Sequence, residues 1–251
     1  MRFCSVGSGS SGNALLVQSD TSCLMIDCGF GPRELARRLA SRGLHPRDIQ
    51  AILVTHEHSD HVGGVAAVSA RFGIPVLASA GTARAARLAP ETLRVLESER
   101  PVTVGNIEAL PVTVPHDARE PCQFVLSHRG RRLGVLTDLG HVSKLVRERF
   151  DRCEALVLEC NHDETMLAEG PYPPALKRRI GGVLGHLSNA QAAQFLASVE
   201  QGALQHLVAA HLSEQNNSPE KARAAMAQAL GHDRGLRLAD QDSGFDWIEI
   251  A

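Results

Sequence analysis

Residues 51–64 constrain this chain more than any other stretch: Ala51-Ile52-Leu53-Val54-Thr55-His56-Glu57-His58-Ser59-Asp60-His61-Val62-Gly63-Gly64. The first four residues are apolar, as in a strand buried on both faces. Four potential metal ligands, His56, His58, Asp60 and His61, then fall within six positions. After them Val62, Val65, Ala66 and Ser69 share one helical face, and Phe72-Gly73 closes the segment. The ligands therefore sit between a strand's C-terminal end and a helix's N-terminus, where open α/β sheets place their ligands. In extended chain His56 and His58 point to the same side and can meet one metal. Asp60 and His61 come where the chain turns, which suits a second metal nearby. Imidazole and carboxylate without thiolate fit zinc, manganese or iron, and do not fit a closed four-cysteine structural site. A solvated histidine-rich turn is the competing reading. Three His and one Asp between a buried strand and a helix weigh against it.

The spacing His56-x-His58-x-Asp60-His61 resembles the signature of the metallo-β-lactamase superfamily, whose members are mostly metal-dependent hydrolases. That resemblance assigns roles to residues further along the chain. Asp27 ends the apolar strand 22–27; an acid there is costly unless paired, and it matches a residue that orients the metal loop without binding metal. His116, after the strand 107–114, matches the next ligand; Asp117 beside it is the weaker ligand candidate and is read as orienting His116. Asp138 ends the strand 131–137 and matches a carboxylate that bridges two metals. His211, after the strand 206–210, matches the final ligand. The implied centre has His56, His58 and His116 on one metal, Asp60, His61 and His211 on the other, and Asp138 between them.

The remaining pattern is that of an α/β chain. Strands are expected at 2–6, 13–18, 75–78, 101–104, 122–128, 155–159 and 245–250, and a short one at 182–184. Helices are expected at 32–42, 81–88, 163–168 and 174–180. Two more are expected after Ser188, whose partner Gln191 completes a capping box, and after Ser218-Pro219. The loop Ser8-Gly9-Ser10-Ser11-Gly12-Asn13 permits tight turns and could present N–H groups to a phosphate, although a plain hairpin loop has the same composition. Hydrophobic residues make up 43% of the 251, enough for one domain, 1–251, with a well-buried core. A net charge of −2 excludes a globally basic polyanion binder. The N-terminus reads as a strand without the apolar core of a signal peptide, so the protein is expected to be cytoplasmic, with no membrane partner. The six scattered cysteines are then buried free thiols. Of these only Cys28 is expected near the site.

Five further stretches resemble the YycJ/WalJ-like group of that superfamily, related to its ribonuclease Z and DNA-processing branches. They are 9–13, His116-Asp117-Ala118, Glu159-Cys160-Asn161-His162-Asp163, Gly185-His186-Leu187-Ser188-Asn189, and His211-Leu212-Ser213 with Asn216-Asn217. The group commonly has Ser where this chain has Cys160. The resemblance implies a four-layer αβ/βα sandwich with two divalent metal ions, zinc first and manganese or iron second, and a DNA substrate cut by 5′-to-3′ exonuclease action. The residues agree in part. Two metals about 4 Å apart can hold a hydroxide and stabilise charge on a transferring phosphoryl group. Ser10, Ser11, Asn13, Asn161, His162 and Asn216 add polar groups for phosphate oxygens. The run Lys177-Arg178-Arg179 could follow a backbone, though alone it reads as a solvated helix face. Asp60 and His186 are the candidate catalytic residues. His186 precedes a capped helix and lies in a stretch that resembles the proton-donating His of ribonuclease Z. A structural histidine tying the helix to the sheet is its competing reading. A thioesterase of the glyoxalase II kind and a non-enzymatic metal-dependent binder are the alternatives for the whole chain.

Overall fold

Unbroken burial along the central strands decides the architecture. In a strand, successive side chains face opposite ways. Here both sets are apolar, so each sheet must be covered on both faces. A computed structural model describes residues 1–251. One sheet holds β1 (Arg2–Gly7), β2 (Ala14–Gln18), β3 (Cys23–Ile26), β4 (Ala51–Leu53), β5 (Val76–Ser79) and β6 (Leu93–Leu96). The other holds β7 (Val102–Val104), β8 (Ile107–Thr113), β9 (Cys122–His128), β10 (Arg131–Leu136), β11 (Ala155–Glu159), β12 (His206–Ala210) and β13 (Leu236–Leu238). The last strand, β14 (Phe245–Glu249), returns to pair antiparallel with β1. The orders are β14-β1-β2-β3-β4-β5-β6 and β13-β12-β11-β10-β9-β8-β7. Strands β3 to β6 run parallel, as do β10 to β13.

Leu24, Ile26, Leu133, Val135 and Val157 enter a central core between the sheets, with Phe3 and Ile250 from the two chain ends. Their neighbours face outward. Met25 and Ile52 pack with Leu35 and Leu39 of α1 (Pro32–Ala40), while Leu136, Leu156 and Leu158 pack with Phe195 and Met226 from the far side. The result is four layers, αβ/βα, as the resemblance implies. Each fully buried Leu or Phe contributes ~1.5–3 kcal/mol relative to exposure, and the three clusters cover both sheets at their centres, leaving exposed positions on the edge strand β6.

Around the metal loop the chain forms α2 (Ser59–Val62) and α3 (Val65–Phe72), then α4 (Ala80–Ala85). The second outer layer follows as α5 (Lys144–Phe150), α6 (Glu164–Glu169), α7 (Pro174–Ile180), α8 (Asn189–Ala197) and α9 (Pro219–Leu230). Ser143, Asp163, Ser188 and Ser218 each accept a hydrogen bond from a first-turn N–H, and Ser188 with Gln191 forms the expected capping box. No helix is long and apolar enough to cross a membrane.

Five elements depart from the sequence expectation. The helix after the metal loop is interrupted at Gly63-Gly64. Residues 182–184 are a turn rather than a strand, with Val183 72% and Leu184 48% exposed. Their apolar character mimics a strand, but no neighbour pairs with them. The edge strands β6 and β13 and the helix α5 have no counterpart in the expectation.

Candidate metal centre

The parallel strands of both sheets end on one edge of the sandwich, and the candidate residues follow them. Asp27 follows β3, His56 follows β4, Asp138 follows β10 and His211 follows β12. Glu159 is the last residue of β11. Asp27, Asp138 and His211 have φ of 59°, 53° and 56°. This left-handed conformation is uncommon for residues with a side chain and recurs at functional sites.

Close backbone packing carries the metal loop. Cys28 N–H donates to His61 O at 2.7 Å, and Gly64 N–H to Cys28 O at 2.8 Å. A Cβ on Gly64 would lie 1.8 Å from Phe30 O, and one on Gly29 would lie 2.2 Å from Asp60 O. Glycine at both positions is what lets the loop approach the end of β3, and the first of them is also where the helix breaks. Cys28 is buried beside this contact, and burial pushes its thiol up to about 12, so it stays protonated there.

Within the loop, most imidazoles are held at one nitrogen and free at the other. Asp27 accepts from Thr55 N–H, Thr55 Oγ1 and His61 Nδ1, each at 2.8 Å. Thr55 Oγ1 in turn lies 3.0 Å from His56 Nδ1. His116 Nδ1 donates to Gly185 O at 3.0 Å. Glu159 Oε1 accepts from His186 Nδ1 at 2.8 Å and His211 Nδ1 at 3.1 Å, while its Oε2 takes the N–H groups of Leu139 and Leu187. These partners leave the Nε2 atoms of His56 and His211 without a hydrogen-bond partner, while Nε2 of His61 lies 3.1 Å from Asn13 Nδ2 and Nε2 of His116 lies 3.3 Å from His58 Nδ1. In metal sites such outer hydrogen bonds set which nitrogen can ligate.

The free nitrogens converge. His56, His58 and His116 bring ligand atoms within 4.8 Å of one another, as do Asp60, His61 and His211. Asp138 joins His56 and His61 in a third such group, so it stands between the first two. Its Oδ2 lies 3.2 Å from His61 Nε2, and Asp60 Oδ2 lies 3.2 Å from His61 Nε2 and 3.5 Å from His211 Nε2. His58 Nδ1 lies 3.3 Å from His116 Nε2. Three buried atoms of this set, His56 Nε2, His211 Nε2 and Asp138 Oδ2, have no hydrogen-bond partner. A buried polar atom without a partner is costly, and a cation at the convergence point would satisfy all three. The donor set therefore fits divalent metal ions.

The electrostatics divide the histidines. Burial, then the neighbouring His61, holds His56 well below the usual histidine range, which keeps it in the neutral form that ligates. For His61, burial works against the charge, but Asp138 and Asp27 outweigh it and raise the pKa well above that range. Burial likewise opposes charge on Glu159, yet His186 and His211 bring it down to about 2. His186 is raised, because Glu159 and Asp138 overcome the cost of burial.

The site opens into a cavity of about 300 Å³ that includes Ser10, Asp60, Asp138, Asn161, His186 and Ser213 in its walls. Of the polar residues proposed for phosphate, Ser10 and Asn161 are there and the rest are not. Asn13 donates to Gly9 O and Asp60 Oδ2 and so braces the metal loop. Ser11 is exposed, its N–H bound to Gln241 Oε1. His162 and Asn216 are buried, and Asn216 ties 211–217 to Asp163 and Ser213. The Ser-Gly loop does not form a phosphate cradle either. The N–H groups of Ser8, Gly9, Ser11, Gly12 and Asn13 are all bonded within the protein. His141 is exposed and bonds to Val183 O. Asp117 sits nearer the metal loop than its role beside His116 suggested: its Oδ1 lies 3.7 Å from His58 Nε2 as well as 3.5 Å from His116 Nε2.

Sequence reasoning missed Glu159 and Thr55. Glu159 had the same signal as Asp27 and Asp138, an acid closing an apolar strand. Tyr172, also in the cavity wall, carries no motif, and Arg179 beside it was marked only as part of the basic run 177–179.

Residues 7–163 match the family model of the metallo-β-lactamase superfamily. The chain is 36% identical over 235 residues to the exodeoxyribonuclease YycJ of Bacillus anthracis, covering 92% of this chain and 89% of that one. It is 30% identical over 236 residues to the exodeoxyribonuclease WalJ of Streptococcus pneumoniae, covering 91% and 88%. Among solved structures, the metallo-β-lactamase fold protein YhfI of Bacillus subtilis superposes with a TM-score of 0.76 at 15% identity over 99% of both chains, a likeness of fold.

Proposed function

The chain belongs to the metallo-β-lactamase superfamily, and on that premise we propose that it is a two-metal exodeoxyribonuclease acting in the 5′-to-3′ direction. Its fold and its relatives make it a metal-dependent hydrolase. We read the whole of 1–251 as one hydrolase domain, because the central core draws on both chain ends. In this reading His56, His58 and His116 would hold one ion, Asp60, His61 and His211 would hold the other, and Asp138 would serve both. Zinc suits these ligands, and manganese or iron could take the same set. When bound, the two ions supply Lewis acidity toward a phosphoryl group and a lowered pKa for water.

The observation that carries the reading is the Glu159–His186 pair. Glu159 fixes Nδ1 of His186, so Nε2 faces the cavity beside both ligand groups. Cleavage of a phosphodiester releases an alkoxide, which needs a proton, and His186 Nε2 is placed to give it. Asp27 and Thr55 hold His61 and His56 in their ligating tautomers. Ser10 and Asn161 offer hydrogen bonds to a substrate phosphate. A thioester hydrolase would use the same metal ligands, but its thiolate leaves without such a donor.

The test is shortening of end-labelled single- and double-stranded DNA and RNA by the metal-loaded protein, beside hydrolysis of bis-p-nitrophenyl phosphate and S-lactoylglutathione. Release of mononucleotides from the 5′ end of DNA is the expected result. Turnover of the thioester without any of phosphodiesters would overturn it.

A further inference from the structure

Tyr172 and Arg179 stand in the wall of the metal cavity but belong neither to the ligand set nor to the proton path. We propose that they form a nucleotide subsite at the metal centre, the Tyr172 ring stacking on a nucleobase and the Arg179 guanidinium holding the phosphate. The proposal rests on the nuclease reading above and adds which part of the substrate is recognised.

Tyr172 is the chain's single tyrosine. It is half-buried, yet none of the three apolar clusters includes it. Its support is stiff. Pro171 precedes it and Pro173-Pro174 follow it, so φ is fixed on three of its four nearest positions. Gly170 anchors the turn: a Cβ there would lie 2.6 Å from Met166 O and 2.8 Å from Asn216 Oδ1. An aromatic ring on a stiff stretch of backbone, in a polar cavity and outside any core, has the character of a stacking platform. Stacking of this kind tolerates every base, which suits an enzyme that removes nucleotides in succession.

Arg179 is distinguished from its neighbours in the basic run. Lys177 Nζ donates to Ala168 O and Arg178 is exposed, so those two behave as a helix surface. Arg179 alone of the run lines the cavity, and it is the only Lys or Arg there. Its Nε donates to Asp117 Oδ2 at 2.5 Å while its side chain stays 56% exposed. The pair fixes the guanidinium's orientation and leaves the two terminal nitrogens for a ligand, the bidentate geometry that suits phosphate. A volume of about 300 Å³ is at the lower end for a small-ligand site, which fits one nucleotide at a strand end.

The subsite is tested by calorimetric titration of the metal-loaded protein with dTMP and with 2-deoxyribose 5-phosphate, which differ by the base. The wild type should bind dTMP roughly tenfold tighter, the scale of one stacked base. Tyr172→Ala should bind the two ligands alike, and Tyr172→Trp should keep the preference. Arg179→Gln should weaken both ligands by at least about tenfold, the loss of a charge-assisted contact, with metal content checked in each variant. A protein that shortens DNA but binds both ligands equally, or a Tyr172→Ala variant that still prefers dTMP, would overturn the subsite and leave the nuclease reading intact. A protein that shortens no nucleic acid would overturn both.

Discussion

Glu159 Oε1 lies 2.8 Å from Nδ1 of His186, and the same oxygen lies 3.1 Å from Nδ1 of His211. One fully buried carboxylate therefore sets the tautomer of a candidate proton donor and of a candidate metal ligand together. His186 belongs to neither ligand triad and instead groups with Asp138, Glu159 and His211.

This arrangement predicts a leaving-group effect. His186→Ala should keep its fold and both metals, because no apolar cluster depends on His186. It should lose ~10²–10⁴-fold in turnover on DNA, the usual worth of general acid catalysis. With a p-nitrophenolate ester, which leaves unaided, the loss should be much smaller. Steady-state kinetics on both substrates decide the matter. Equal losses would reduce His186 to a phosphate contact, and no loss on either would make it structural.

A second prediction concerns pH. The Glu159 and Asp138 carboxylates raise the His186 pKa against the cost of burial. A raised pKa keeps the acid form present above the ordinary histidine value, and the proton donor is lost only as pH rises through the raised value. Turnover on DNA should therefore hold at mildly alkaline pH and then fall. Glu159→Gln removes the nearest negative charge, so the alkaline limb should move to lower pH. A limb that stays in place in Glu159→Gln, with metal content unchanged, would detach this pair from the pH dependence.

Much of this arrangement was legible in the chain for one physical reason: a parallel sheet gathers strand ends on one edge. Any polar residue that closes an apolar strand must therefore arrive where the others do. Asp27, His56, Asp138 and His211 obey that rule, and Glu159 obeys it equally, though a resemblance centred on ligands passed over it. Thr55 was hidden because its role depends on which oxygen of Asp27 it reaches. Asn13 and Asn216 look like phosphate ligands in sequence, since an amide that braces a loop is indistinguishable from one that binds. The edge strands β6 and β13 are four and three residues long, too short for periodicity to mark them. Residues 182–184 erred in the opposite direction. Their apolar side chains promised burial, and only the exposure of Val183 and Leu184 reveals a turn.

Asp27 offers a third prediction. It receives three hydrogen bonds from Thr55 and His61 and has no place in any close group of ligand atoms. Asp27→Asn should weaken metal retention by ~10–100-fold, the typical cost of losing a partner to a ligating histidine. Competition with a chromogenic chelator measures this without reference to turnover. Unchanged affinity would mean that Thr55 and the backbone alone hold His61 in place.

The last prediction is that metal and stability are linked through atoms the protein cannot satisfy by itself. His56 Nε2, His211 Nε2 and Asp138 Oδ2 are buried without partners, and Asp60, Asp138 and Glu159 crowd the same space as the histidines. An ion binding the folded form alone stabilises it by RT ln(1 + [L]/Kd), about 4 kcal/mol at a thousandfold excess over Kd. For a chain of this length each kcal/mol moves Tm by ~2–4 °C, so chelation should lower Tm by roughly 8–16 °C. Zinc should restore it, and elemental analysis should approach two metals per chain. The two ligand groups can be separated. His211→Ala should lose the ion of Asp60 and His61 first and keep the one held by His56, His58 and His116. A chain that binds one ion and whose Tm ignores chelation would contradict the shared centre. Loss of both ions in His211→Ala, with the fold intact by circular dichroism, would show instead that Asp138 couples them too tightly to part.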